Sequence, residues 1–249
     1  MNSITIYGKN PVKEAIKAGR KIHKIQLNEG NEGKILEDIG LKTCVDNKDH
    51  KINIESVDKN KLAKEAKSRE HQGVIAHCEP YIYSSVEVIL EKAKKKQEHP
   101  LMVILDHIQD PQNLGAIIRS VEAVGAHGII IPKKRASDIT PSVFKASSGA
   151  VEYVEIAKVS NISRTIMDLQ KKWLWVVGCE GDGKQEFYKL NYDMPTVLVM
   201  GNEGRGLSRN IREKCDHLAK IPMFGKINSL NVSTACSILL YEVMRQRLG

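Results

Sequence analysis

Four continuous apolar runs, at 101–105, 128–131, 174–178 and 196–200, are separated by stretches of helical periodicity. A strand with one solvated face alternates apolar and polar residues, whereas an unbroken run requires burial on both faces. Runs of this kind alternating with helices specify a parallel sheet covered on each side, which places an α/β domain after Pro100. In such sheets ligands bind beyond the carboxyl ends of the strands. The loops that follow these runs are therefore the first places to look for chemistry.

The rest of the chain bounds the problem loosely. Its 249 residues suffice for one large domain or two smaller ones, and 41% hydrophobic with 27% charged residues is an ordinary globular composition. Lys and Arg number 38 against 30 Asp and Glu, a net charge of +8 that permits a polyanionic partner such as RNA without requiring one. Basic clusters occur at 92–96, 133–135 and 171–172, and each alone reads as a solvated surface. The five cysteines, at 44, 78, 179, 215 and 236, form no C-x-x-C pair and no metal-ligand spacing, so no metal is expected and the thiols are read as free. No signal peptide or membrane-length apolar run is evident, and a cytoplasmic, non-membrane protein is expected.

Residues 1–80 read as a small α/β unit. Pro11 opens a short helix with Val12, Ala15 and Ile16 on one face and Gly19 at its end. A strand is expected at 22–27, helices at 32–41 and 60–68, and a returning strand at 72–77. Residues 81–100 read as a linker carrying a helix at 86–99, and 101–249 as the second domain.

Within 101–249 three segments carry polar residues at sheet ends. After the first strand, Asp110 and Pro111 suit the N-cap and first position of a helix along which Leu114, Ile117, Ile118, Val121 and Val124 recur, closed by Gly125. Asn113 lies at its start, and Arg119 lies outside the apolar set, where periodicity alone favours a surface cation. After the 196–200 run comes Gly201-Asn202-Glu203-Gly204-Arg205-Gly206-Leu207-Ser208. Gly201 and Gly206 have phosphate-loop spacing, but Leu207 replaces the required lysine and Glu203 would repel phosphate. A G-x-G-x-x-G fingerprint is also missing. These exclusions leave a nucleoside-type ligand held largely by backbone groups. The third segment, Ile221-Pro222-Met223 through Ser229-Leu230-Asn231-Val232-Ser233, leads into an apolar helix capped at Ser229 that is either core or a subunit interface.

Together these blocks resemble the three motifs of the SpoU/TrmH-type ribose 2′-O-methyltransferases of the SPOUT class: Asn113-Leu114-Gly115 with Arg119, Gly201 through Leu207, and Ile221-Pro222-Met223 with Ser229 through Ser233. The segment from Tyr7-Gly8-Lys9-Asn10-Pro11 to His71-Gln72-Gly73-Val74 is similar to the ribosomal-protein-like substrate-binding domain of members acting on large-subunit rRNA. The resemblance implies an α/β domain with a deep trefoil knot, S-adenosylmethionine held around Met200, Gly201, Asn202, Gly206, Ile221, Met223 and Leu230, and a homodimer. It implies catalytic roles for Arg119, Asn113, Glu203, Ser229 and Asn231, with a guanosine of 23S rRNA as substrate. The alternatives are tRNA ribose methylation and a non-catalytic RNA-binding protein of ribosome assembly.

Overall fold

The computed structural model describes residues 3–41, 52–202 and 204–249. The chain divides into two compact units, one formed by residues up to Ile82 with Ile139–Tyr153, the other by Tyr83–Asp138 with Val154–Gly249.

The first unit contains β1 (Ile4–Tyr7), α1 (Lys9–Lys17), β2 (Ile22–Asn28), α2 (Glu32–Asp38), β3 (Asn53–Val57), α3 (Lys59–Ala66) and β4 (Val74–Cys78). Its sheet has the order β1-β4-β2-β3, with β4 antiparallel to both neighbours and β2 parallel to β3. Tyr7, Val57, Leu62, Ala66 and Ile75 form a core cluster between sheet and α3. The start of α1 is displaced from the expected Pro11 to Lys9, because Gly8 at φ +96° takes the cap position in a conformation that L side chains rarely adopt.

The second unit begins with α4 (Val86–Lys96), β5 (Leu101–Leu105), α5 (Pro111–Ala123) and β6 (Gly128–Pro132). The next helix, α6 (Pro141–Ala146), lies in the segment that belongs to the first unit. There the Arg20 guanidinium makes a bidentate pair with Glu152, Nε to Oε1 at 2.7 Å and Nη2 to Oε2 at 2.7 Å, and also donates to the Glu79 carbonyl at 3.1 Å. Residues 139–153 group with the N-terminal unit, and α4, the helix expected within 86–99, buries Ile89 in the core of the second unit.

The chain continues through β7 (Glu155–Val159), α7 (Ile162–Gln170), β8 (Trp175–Cys179), β9 (Gln185–Glu186), β10 (Thr196–Met200), α8 (Arg209–Arg212), β11 (His217–Lys220) and α9 (Val232–Leu248). The seven strands pair in parallel in the order β7-β6-β5-β10-β8-β11-β9. Every residue of β5, β6 and β10 is buried, which is why those runs carry no polar alternation. Strand β10 enters between β5 and β8, with Met200 paired to Leu105 on one side and Cys179 on the other. Three strands thus end at one level, and their loops share one edge of the sheet.

Candidate active site

Helix α5 starts where the chain leaves β5. Asp110 caps it by accepting hydrogen bonds from the backbone N–H groups of Gln112 (3.1 Å) and Asn113 (3.3 Å), and Pro111 occupies its first turn. The expected apolar face is buried, and Arg119 stands on the exposed face. Asn113, by contrast, is only 7% exposed.

The loop after β10 is a tight reversal. Asn202 and Gly206 exchange backbone hydrogen bonds, N–H of Asn202 to O of Gly206 at 3.0 Å and the reverse at 2.9 Å. A Cβ at Gly201 would overlap the backbone of Gly206 and Leu207, so the closure demands glycine there. Gly206 adopts φ +64°, and a Cβ on it would meet the Glu180 carboxylate oxygens at 2.8 Å. That carboxylate, at the end of β8, accepts a hydrogen bond from the Leu207 N–H. On the other side the Asn202 amide donates to the His107 carbonyl at 2.8 Å, and the buried Asp106 carboxylate accepts from the Ser208 N–H at 2.9 Å. The glycine loop is therefore held from both neighbouring strand ends.

The third segment enters α9 through Asn231, whose Oδ1 accepts from the N–H groups of Ser233 (2.9 Å) and Thr234 (3.4 Å). Asn231, not Ser229, is the helix cap. The same side chain donates its Nδ2 to Asn113 Oδ1 at 2.8 Å, so the first and third segments meet directly. The two helices that follow are joined again by a 2.7 Å hydroxyl pair between Ser120 and Ser237.

Between these loops lies a cavity of about 620 Å³ at the carboxyl ends of β8, β10 and β11. Met200, Gly201, Asn202, Gly206, Ile221, Met223 and Leu230, all seven expected cofactor residues, line it, together with Ser229 and Asn231. Asn113 reaches it through Asn231, whereas Arg119 is not among the lining residues, and Glu203 lies outside the described residues. Sequence reasoning missed Cys179, Glu180 and Gly181, which line the cavity from the end of β8. The sheet-end rule that pointed to the other loops would have found them, but the expected strand stopped one residue early, at Gly178. Burial pushes the Cys179 thiol up to about 12, so it is a neutral wall at physiological pH.

The lining suits a ligand with both apolar and polar parts. Met200, Ile221, Met223 and Leu230 offer apolar surface, while Glu180, Asn202 and Ser229 offer hydrogen-bonding groups. The volume lies within the roughly 300–1,000 Å³ common for small-molecule sites. Among the described residues no lysine or arginine lines the cavity, which disfavours a polyphosphate. Among the described residues no group of three or more His, Cys, Asp or Glu side chains is placed to hold a metal ion, and no helix is long and apolar enough to cross a membrane.

Residues 100–241 match the model of the SpoU rRNA Methylase family, and residues 5–84 match that of the RNA 2′-O ribose methyltransferase substrate-binding domain. The chain belongs to the SpoU methylase family. A Bacillus subtilis protein assigned to the TrmH family of tRNA/rRNA methyltransferases, YacO, is 41% identical over 97% of this chain and 95% of its own length. Among solved structures, the AdoMet-bound rRNA methyltransferase of Sinorhizobium meliloti is similar at 28% identity with a TM-score of 0.77, covering 99% of this chain and 88% of that one. The SpoU methyltransferase AviRb of Streptomyces viridochromogenes, also bound to AdoMet, shares the fold at a TM-score of 0.80 and 24% identity, over 99% of this chain and 91% of its own. As a SpoU-family RNA methyltransferase, the chain has its three motif segments converging on one sheet edge, and the cavity there is where the family's chemistry is to be sought.

Proposed function

We propose that this protein transfers the methyl group of S-adenosylmethionine to a ribose 2′-hydroxyl of RNA, on a guanosine of 23S rRNA. The observation that carries this reading is the convergence of the glycine loop and the 221–231 segment on one cavity, with the Asn231–Asn113 bond tying the α5 segment to its edge. The bound cofactor supplies an electrophilic methyl group; the protein's task is alignment and relief of the hydroxyl proton. The backbone groups around Gly201 and Gly206 hold the nucleoside part, and Met200, Ile221, Met223 and Leu230 enclose it. Asn113 and Asn231, fixed by their mutual hydrogen bond, position the ribose and the loop bearing Ser229.

A guanidinium is a poor general base, so the role assigned to Arg119 is electrostatic stabilisation of the developing alkoxide rather than proton abstraction. Its place on the exposed face of α5 is compatible with service at a site completed by a second copy of the chain. The homodimer reading is supported by the exposed apolar side chains of Phe224 (97%), Ile227 (72%) and Tyr241 (59%) on the 221–231 segment and α9. Glu203 is assigned to orient Arg119 or the substrate. The trefoil knot belongs to the same proposal, and the insertion of β10 between the earlier strands β5 and β8 is consistent with it.

Incubation with radiolabelled S-adenosylmethionine and separate unmodified rRNA and tRNA pools tests the reading. Label in 23S rRNA, mapped to a ribose 2′-oxygen of guanosine, is expected. Label confined to tRNA would move the substrate to the alternative, and cofactor binding without label in either pool would overturn the reading.

A further inference from the structure

Beside the cofactor cavity, at the carboxyl end of β5, lies a second cleft of about 580 Å³. Asn202 and Gly206 line both, so the two spaces share the wall of the glycine loop. The second cleft differs sharply in chemistry. Arg135 and Arg205 face it, with Gln109 and Ser208 beside them. Among the described residues neither guanidinium makes a hydrogen bond or an ion pair, although both stand at a formed cleft.

The position of Arg135 gives a role to a cluster that reads from sequence as plain surface. Lys133, Lys134 and Arg135 follow β6 directly and are all exposed at the same edge of the sheet as the glycine loop. The Ser137 N–H donates to the Ile108 carbonyl at 2.9 Å, which fastens this loop to the one after β5. Arg135 itself sits at φ +58°, an uncommon conformation for a residue with a side chain. Among the described residues the one acidic group lining the cleft, Asp106, is already engaged: one oxygen accepts from the Ser208 N–H and the other lies 2.6 Å from His107 Nδ1. The cleft thus presents two planar cations and a neutral amide to an incoming group.

We infer that this cleft seats a phosphodiester of the RNA acceptor, with Arg135 and Arg205 gripping its oxygens, so that the adjoining ribose is presented across the Asn202–Gly206 wall. Guanidinium forks match phosphate oxygens in geometry as well as charge, and a single phosphodiester charge suits two of them without a metal. Gln109 can donate to and accept from a base edge, which makes it the candidate for reading the target nucleotide. The inference rests on the proposed RNA methyl transfer, because the shared wall has meaning only if the two ligands react.

The test uses the full chain as wild type, as the Arg135→Gln/Arg205→Gln double variant, and as the corresponding double lysine variant. A short fluorescein-labelled single-stranded RNA is titrated over a series of KCl concentrations, and S-adenosylmethionine binding is measured by calorimetry. The glutamine variant is expected to lower the slope of log affinity against log salt by about 0.7 for the lost phosphate contact. It should raise the KM for the methylated RNA pool about tenfold, while cofactor affinity stays within about twofold, and lysine should restore only part of the RNA affinity. An unchanged salt slope and KM would overturn the inference, as would a parallel loss of cofactor affinity, which would mark a collapsed loop. Loss of inorganic phosphate binding with RNA affinity unchanged would also overturn it, by assigning the cleft to a free anion. Absence of methyl transfer by the wild type removes the functional reading instead, and the salt slope still reports on the cleft.

Discussion

Asn231 Nδ2 donates to Asn113 Oδ1 across 2.8 Å, while Asn231 Oδ1 caps α9. One amide therefore performs two jobs that a single substitution separates. Asn231→Asp keeps an acceptor for the N–H groups of Ser233 and Thr234 but sets a carboxylate oxygen against the Asn113 carbonyl. Thermal unfolding should shift little, whereas kcat for methyl transfer should fall at least tenfold. Asn231→Ala loses the cap as well and should destabilise by about 1–2 kcal/mol in denaturant titration.

Gly201→Ala tests the closure of the glycine loop. The added methyl group overlaps the backbone of Gly206 and Leu207, which no rotamer can relieve. S-adenosylmethionine affinity should drop by more than an order of magnitude in calorimetry, with a stability loss of about 1–3 kcal/mol. A variant binding cofactor normally would show that the loop does not form the site.

His127 makes stability depend on pH. Its Nδ1 accepts from the Leu101 N–H at 3.0 Å and its Nε2 lies 3.1 Å from Glu98 Oε2, which defines the neutral ring protonated on Nε2. Burial holds its pKa below the ordinary 6.5 against the opposing pull of Glu98. Its contribution is therefore complete above that ordinary value and lost as pH falls through the lowered one. Denaturation midpoints should decline on acidification below about 6.5. His127→Gln should flatten part of the decline, leaving the share of His71 and His77, whose values burial also lowers.

The Arg20–Glu152 pair should behave as a buried ion pair, since the two side chains are 12% and 3% exposed. Removing one partner strands the other charge, so Arg20→Leu should cost about 3 kcal/mol or more. Arg20→Leu with Glu152→Leu should recover much of that loss in the same titration. Equal instability of the single and double variants would contradict a pairing role.

The legible parts of this molecule were those with local causes. The runs at 101–105 and 196–200 coincide with β5 and β10 because burial on both faces leaves an unbroken apolar signature. Asp110 and Pro111 announced the start of α5 through capping chemistry confined to neighbouring residues. Strands toward the margins of the sheet were harder: the edge strand β7 carries Glu155 and Lys158, and β11, next to the edge strand β9, carries His217 and Lys220, so neither presents an apolar run. The allegiance of 139–153 to the N-terminal unit was invisible, since contacts such as Arg20 with Glu152 link residues far apart in sequence. Ser229 and Asn231 are both competent caps two positions apart, and only the backbone turn decides between them. Glu180 was missed because its partner, the Leu207 N–H, becomes a neighbour only when β8 and β10 align.

The insertion of β10 between β5 and β8 has a consequence in time. Leu101 and Trp175 both leave the ribosome before Thr196, yet the strand containing Thr196 must settle between them. Such a late central arrival involves contacts of large sequence separation, which are slow to form. The glycine loop extends from that late-inserted strand, so the cavity proposed for the cofactor is incomplete until β10 has docked between its neighbours. Ligand binding then stabilises only the finished topology, and the appearance of cofactor affinity during refolding is a clock for the moment the central strand locks in.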